Sequence, residues 1–267
     1  MDFASQSIGL STVFNARDLG GYVLPGGRSV KKGLLLRGGD LARISDEEVA
    51  VLKERYNLSK VFDFRTSMEV KNLPDREIPG ASNIWMPAFN EGSQKMEEMV
   101  LPREAYVDLG GWLVKHAGNV KVQSVAREMY AGLVTDGFTQ MQYAGFLQNI
   151  VNTPSGAVYW HCSQGKDRTG IAAALVLTAL GADRDLVMAD YGISNEFYKE
   201  DVDRYCSLLG TAEEREVIRT FIGVNPRYFG QALDLLEAQY GSLMEFLTGP
   251  LCLSREDILI LRERYTE

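Results

Sequence analysis

Residues 162–168 read CSQGKDR, a cysteine followed after five residues by an arginine, set between the apolar runs GAVYWH and TGIAAALVLTALG. A strand, a tight loop and a helix in that order let loop amides curl around an anion while the helix N-terminus adds partial positive charge. Ser163, Gln164, Gly165 and Lys166 would line such a cradle, and Arg168 can hold two anion oxygens at once. A tetrahedral dianion fits it. Helix N-termini and neighbouring cations lower thiol pKa values from about 8.5 to about 3.5–7.5, so Cys162 is expected to be a thiolate nucleophile and its intermediate a cysteinyl phosphate. Gly165 allows backbone geometry closed to other residues. Thr169 can donate its hydroxyl to the sulfur and ease its departure in a second step.

Competing chemistries fit less well. A nucleotide-binding loop needs Gly, four residues and Gly-Lys-Ser/Thr, but Gly165-Lys166 is followed by Asp167 and no glycine lies five residues earlier. A Cys-His protease pair is poorly served because His161 and Cys162 are adjacent in a strand, where neighbouring side chains point to opposite faces. A merely buried cysteine at a strand end would not need Lys, Asp and Arg beside it.

The surrounding sequence predicts an α/β fold able to position this loop. Strands are expected at 33–39, 58–66, 81–87 and 156–162, and a helix at 169–181 closed by Gly181. Ser45 and Glu48 form a capping-box pattern that predicts a helix over 45–56. That helix between two strands implies a crossover, hence a partly parallel sheet. Residues 91–150 carry helical periodicity broken at Gly110-Gly111, and read either as a helical insertion over the sheet's active edge or as ordinary core helices. From 183 onward the chain reads as helices, one of them with Pro226 in its first turn and Gly241 at its end.

The chain has 267 residues, 45% of them hydrophobic, with a net charge of −8, enough to bury a substantial core. The acidic balance argues against nucleic acid as a partner, since phosphate backbones demand a broad basic surface. Three widely spaced cysteines suggest neither a disulfide framework nor a paired metal site, and Cys206 and Cys252 are expected to be core thiols. No transmembrane run is present, and the first residues lack the pattern of a secretory signal. The expected location is cytoplasmic or secreted.

HCSQGKDRTG resembles the signature of the Cys-dependent protein tyrosine phosphatases, and Lys166-Asp167 makes it similar to the bacterial PtpB/LipA-like branch. NARDLGGY (15–22), LLLRGGDL (34–41), VFDFRTSMEV (61–70) and the tail from Gly223 are similar to that family in content and order, so the likeness spans most of the chain. It implies a single phosphatase domain over 1–267, built on a mostly parallel sheet flanked by helices, with a helical lid within 91–150. It implies dephosphorylation of phosphotyrosine in proteins or peptides without a metal or other cofactor; some members also accept phosphoserine, phosphothreonine or phosphoinositides. Carried over, Cys162 is the nucleophile, Arg168 the phosphate clamp, and Lys166 a further cation facing the substrate. Lys at this place also resembles lipid phosphatases, which makes a phosphoinositide phosphatase the alternative; an inactive phosphate-recognition module is a second. The general acid is open. No Trp-Pro-Asp tripeptide occurs, and the nearest segment, WMPAFNE, offers Asn90, which has no carboxyl proton to give. The resemblance favours Asp167 for acid/base work and Asp63 for pocket architecture, with Arg65 either contacting phosphate or paired with Asp63. Arg17, Asp18 and Arg37 match family positions, and His161 is read as a hydrogen-bonding support for the thiol.

Overall fold

The computed structural model describes residues 6–92, 104–105, 108–119 and 121–267. Five strands, β1 (Arg17–Asp18), β2 (Leu35–Gly38), β3 (Leu58–Asp63), β4 (Ser82–Trp85) and β5 (Ala157–His161), form one sheet in the order β1-β2-β5-β3-β4. Every pairing is parallel except β1 with β2. β5, last in sequence, lies centrally between β2 and β3, and all five of its residues are buried. That explains its unbroken apolar run: a parallel strand covered on both faces has no solvent side to show. In register, His161 stands opposite Gly38 on one side and Asp63 on the other. Three strands therefore end together where Cys162 begins the loop, the carboxyl edge at which open α/β sheets place their ligands.

Alternation along the strands separates two cores. Leu35, Phe62, Val158 and Trp160 enter the larger one, while Leu36, Val61, Ala157 and Tyr159 face the smaller, beneath Leu41, Ile44 and Leu52. The smaller core is closed by helix α1 (Asp46–Ala50), which continues into a π-turn over Val51–Arg55. Ser45 and Glu48 form the capping box that the sequence predicts. A second short helix, α2 (Ser67–Asn72), follows β3 with Thr66 and Glu69 in the same relation.

Next come α3 (Leu109–His116), α4 (Val122–Thr135) and α5 (Gly137–Val151). α4 and α5 place Tyr130, Leu133, Tyr143, Phe146 and Ile150 in the larger core, so they build the domain interior. α3 instead joins a third cluster through Leu113. The remaining part of 91–121 falls largely outside the described residues.

α6 (Asp167–Leu180) begins two residues before the expected start, because Asp167 and Arg168 already have helical backbone; from Arg168 onward every residue of it is buried. Gly181 ends it at φ 104°. Then come α7 (Arg184–Cys206), α8 (Ala212–Phe221), α9 (Pro226–Tyr240), α10 (Leu243–Thr248) and α11 (Arg255–Tyr265). Pro226 occupies the first turn of α9 as expected. The segment before β2 is joined to the one after α11 by a bridge between Val30 and Thr266. Cys206 is buried, but Cys252, expected in the core, is exposed in a turn at φ +53°. No described helix is long and apolar enough to cross a membrane.

Candidate active site

The loop from Cys162 to Arg168 is held from behind by its carbonyl oxygens. The Cys162 carbonyl lies 3.2 Å from His161 Nδ1, and that of Ser163 accepts from the Asp40 amide. Tyr198 Oη donates to the Gln164 carbonyl at 2.5 Å. Gly165 receives two donors, Asn15 Nδ2 at 2.7 Å and Arg37 Nη2 at 2.9 Å. The Lys166 carbonyl takes the Gly170 amide as the first bond of α6, with Arg37 nearby at 3.4 Å. The amides of Ser163, Gln164, Gly165 and Lys166 donate to nothing among the described residues. Outward carbonyls and free amides leave the loop concave on its N–H side, a shape able to hold an anion.

Two constraints fix this shape. Gly165 sits at φ +65°, and a Cβ there would lie 2.2 Å from the Gly38 carbonyl carbon. Only glycine lets the loop rest on the end of β2. The other constraint is a buried ion cluster. Arg17 Nε and Arg37 Nη1 bind the two oxygens of Asp190 at 3.1 and 2.5 Å, and Tyr22 Oη adds a bond at 2.8 Å. Burial raises the Asp190 carboxyl, but the two guanidinium groups outweigh it and hold it below its ordinary value. Burial, assisted by the Arg17 charge, lowers Arg37 to about 10. Arg17 and Arg37 are therefore braces for the loop, and Asp190 on α7, which sequence reasoning missed, is the anion that makes burying both of them tolerable.

Cys162 is nearly inaccessible at 3%. Thr169, in the first turn of α6, is fully buried, and its hydroxyl has no hydrogen-bond partner among the described residues. Arg168 makes a two-pronged pair with Glu69, Nη1 to Oε2 and Nη2 to Oε1 both at 2.7 Å, while Phe89 lies 5.0 Å from the guanidinium carbon. Ser163 Oγ donates to the same carboxylate at 2.5 Å. Burial would raise the Glu69 carboxyl, but the Arg168 charge and these hydrogen bonds bring it down to about 2. Glu69 was not anticipated as a site residue, although its capping-box spacing from Thr66 is visible in the sequence. A carboxylate at the third position of a short helix is thus also what aims the arginine.

Lys166, expected to face the substrate, turns elsewhere. It is 2% exposed, and its ammonium donates to the carbonyls of Phe221, Ile222 and Gly223 at 2.7, 3.1 and 3.0 Å. Three donors meet three acceptors at the C-terminus of α8, where the helix dipole also favours a cation. Arg65, expected as a phosphate contact, pairs with Asp63 and Asp75, at 2.8 and 2.7 Å, and donates to the Leu73 carbonyl. Asp63 is the partner in that structural pair, the alternative the sequence left open. His161 Nε2 lies 3.1 Å from Asp75, and Asp63 stands 3.9 Å from its other nitrogen. Burial would lower the imidazole, but the two carboxylates outweigh it and raise it to about 9. Asp167 remains at the mouth of the loop, partly exposed, with Oδ1 bonded by Tyr130 and, at 3.3 Å, by Tyr191.

A half-open α/β sheet that ends in a Cys-x5-Arg anion cradle defines a Cys-dependent phosphatase. The sequence profile of the tyrosine phosphatase family matches residues 8–267, and the chain belongs to that family. It is 28% identical over 262 residues to a protein of Cupriavidus necator named as a tyrosine-protein phosphatase, covering 97% of this chain and 88% of the other. It is 27% identical over 242 residues to the triple specificity protein phosphatase PtpB of Mycobacterium tuberculosis, covering 82% and 86%. A tyrosine-protein phosphatase of Nostoc commune is 32% identical over 240 residues, covering 86% and 73%.

Three outcomes follow from the geometry. Glu69→Gln leaves the buried Arg168 cation without a counter-charge, so stability should fall by about 3 kcal/mol; orthovanadate should raise its melting temperature by more than it raises that of the wild type. Lys166→Met should lower turnover of aryl phosphates, since what it removes is the tie between loop and α8. His161, raised from 6.5 to about 9, contributes stability that is complete below pH 6.5 and lost as pH rises through 9. Urea unfolding measured across that window should show the decline, and His161→Gln should flatten it.

Proposed function

We propose that Cys162 attacks the phosphorus of a phosphotyrosine side chain in a protein or peptide, with Arg168 and the free loop amides holding the phosphoryl oxygens. The observation that carries this reading is the set of outward-tethered carbonyls, which leaves a ring of N–H groups around the thiol. As the sulfur–phosphorus bond forms, the phosphorus–oxygen bond breaks, its electron pair leaves on the phenol oxygen, and Asp167 supplies the proton. Water then attacks phosphorus, its proton passes to the Asp167 carboxylate, and the sulfur–phosphorus pair returns to Cys162, eased by the unpartnered Thr169 hydroxyl. Asp167 is the better acid because Asp63 is held in its pair with Arg65 behind the loop. No cofactor enters this scheme.

The whole chain acts in this reading as a single phosphatase domain, which the bridge between Val30 and Thr266 supports. α4 and α5 belong to the core and are not a lid. Specificity wider than phosphotyrosine alone is suggested by the name of the mycobacterial relative, a triple specificity protein phosphatase. The carbonyl-bound Lys166 gives the phosphoinositide alternative no support. An inert recognition module is disfavoured because both Cys162 and Arg168 are present.

Cys162→Ser should abolish hydrolysis while still binding phosphate or vanadate; turnover retained in that variant would contradict the mechanism. Asp167→Asn should cost poor leaving groups most, by about a hundredfold in kcat/KM, whereas Asp63→Asn should lower stability and affect good and poor leaving groups equally. A panel of phosphotyrosine, phosphoserine and phosphothreonine peptides and phosphoinositides, assayed with a metal chelator, fixes the substrate range.

A further inference from the structure

Asp167 has its two oxygens in different surroundings. Oδ1 accepts from Tyr130 Oη, and Tyr191 Oη stands within hydrogen-bonding distance both of Tyr130 Oη and, at 3.3 Å, of Oδ1. Oδ2 has no hydrogen-bond partner among the described residues, and the side chain is partly exposed. The two phenols are fully enclosed. Tyr191 stacks on Phe229 with ring centroids 3.9 Å apart and planes 4° apart, and Tyr130 meets both rings edge-on at 6.5 Å. Tyr191 reaches its place because residue 170 is glycine: a Cβ there would lie 2.9 Å from the Tyr191 ring. Burial and the Asp167 charge raise both phenols well above their ordinary values, so they stay protonated as donors.

We infer that Tyr130 and Tyr191 are positioning residues for the acid, fixing Asp167 so that its transferable proton resides on Oδ2, toward the leaving oxygen. Oδ1 is enclosed by two phenol oxygens whose two protons are shared between it and their own contact, whereas Oδ2 is partnerless among the described residues on a partly exposed side chain. Only a proton on Oδ2 can therefore pass outward, and the carboxyl group cannot rotate to exchange its oxygens without breaking a buried hydrogen bond. Tyr130 comes from α4, so the helical segment that reads as lid or core delivers a residue to the reaction site. The inference rests on Asp167 being the acid.

The test is the leaving-group dependence of kcat/KM, which reports the step in which the alcohol departs. Tyr130→Phe should lower kcat/KM for phenyl phosphate by about tenfold while changing that for a dinitrophenyl phosphate, which needs little protonation, by less than about twofold. Tyr191→Phe, which removes the weaker donor, should show the same selectivity to a lesser degree and serves if Tyr130→Phe does not fold. In an Asp167→Asn background either change should have no selective effect. Equal losses for both esters, or a selective loss that persists in Asp167→Asn, would overturn the positioning role. If Asp167→Asn itself shows no selectivity, the assignment of the acid falls and this inference with it; if Asp167→Asn is selective and neither tyrosine variant is, only the positioning role falls.

Discussion

The site depends on which way six peptide groups face. A loop of this kind can bind a dianion only if its N–H groups converge, and each N–H points inward only when the carbonyl of its own peptide group is held outward. Here Asn15, Arg37, His161, Tyr198 and the Asp40 and Gly170 amides hold five of those carbonyls, from Cys162 to Lys166. Arg37 in turn is buried beside a second arginine, which is tolerable because Asp190 binds both. The cradle is therefore preorganised by groups that never touch the substrate, the condition under which fixed dipoles stabilise developing charge most effectively.

Charge compensation recurs on the other side of the loop. Arg168, the proposed phosphate clamp, cannot remain buried as a lone cation, and Glu69 meets that need with a two-pronged pair. His161 and Arg65 are balanced by Asp63 and Asp75. Each of these carboxylates is a cost if its partner is removed, because an uncompensated buried charge is worse than none. Lys166 belongs to the same design, with three carbonyls replacing a carboxylate.

The loop and its chemistry were legible in the sequence because all seven residues are contiguous and flanked by strand and helix patterns. The parallel sheet followed from the crossover between the strands at 33–39 and 58–66. The braces were not legible in the same way. Asp190 lies 173 residues from Arg17, and the carbonyls around Lys166 lie 55 to 57 residues away, so no local spacing announces either contact. Lys166 was expected to face the substrate because the family resemblance implied it; tertiary packing sent it to a helix end. Glu69 was half visible, as a capping-box residue, and Tyr130 reads as one more apolar position on a core helix.

The most direct measurement is a crystal structure of the protein with orthovanadate. The account predicts vanadium bound to Cys162 Sγ, its equatorial oxygens receiving the amides of Ser163 to Arg168 and the Arg168 fork, with the Arg37, Asn15 and Tyr198 bonds to the loop carbonyls unchanged. Vanadate bound elsewhere, or a loop whose carbonyls had turned inward toward the anion, would contradict it.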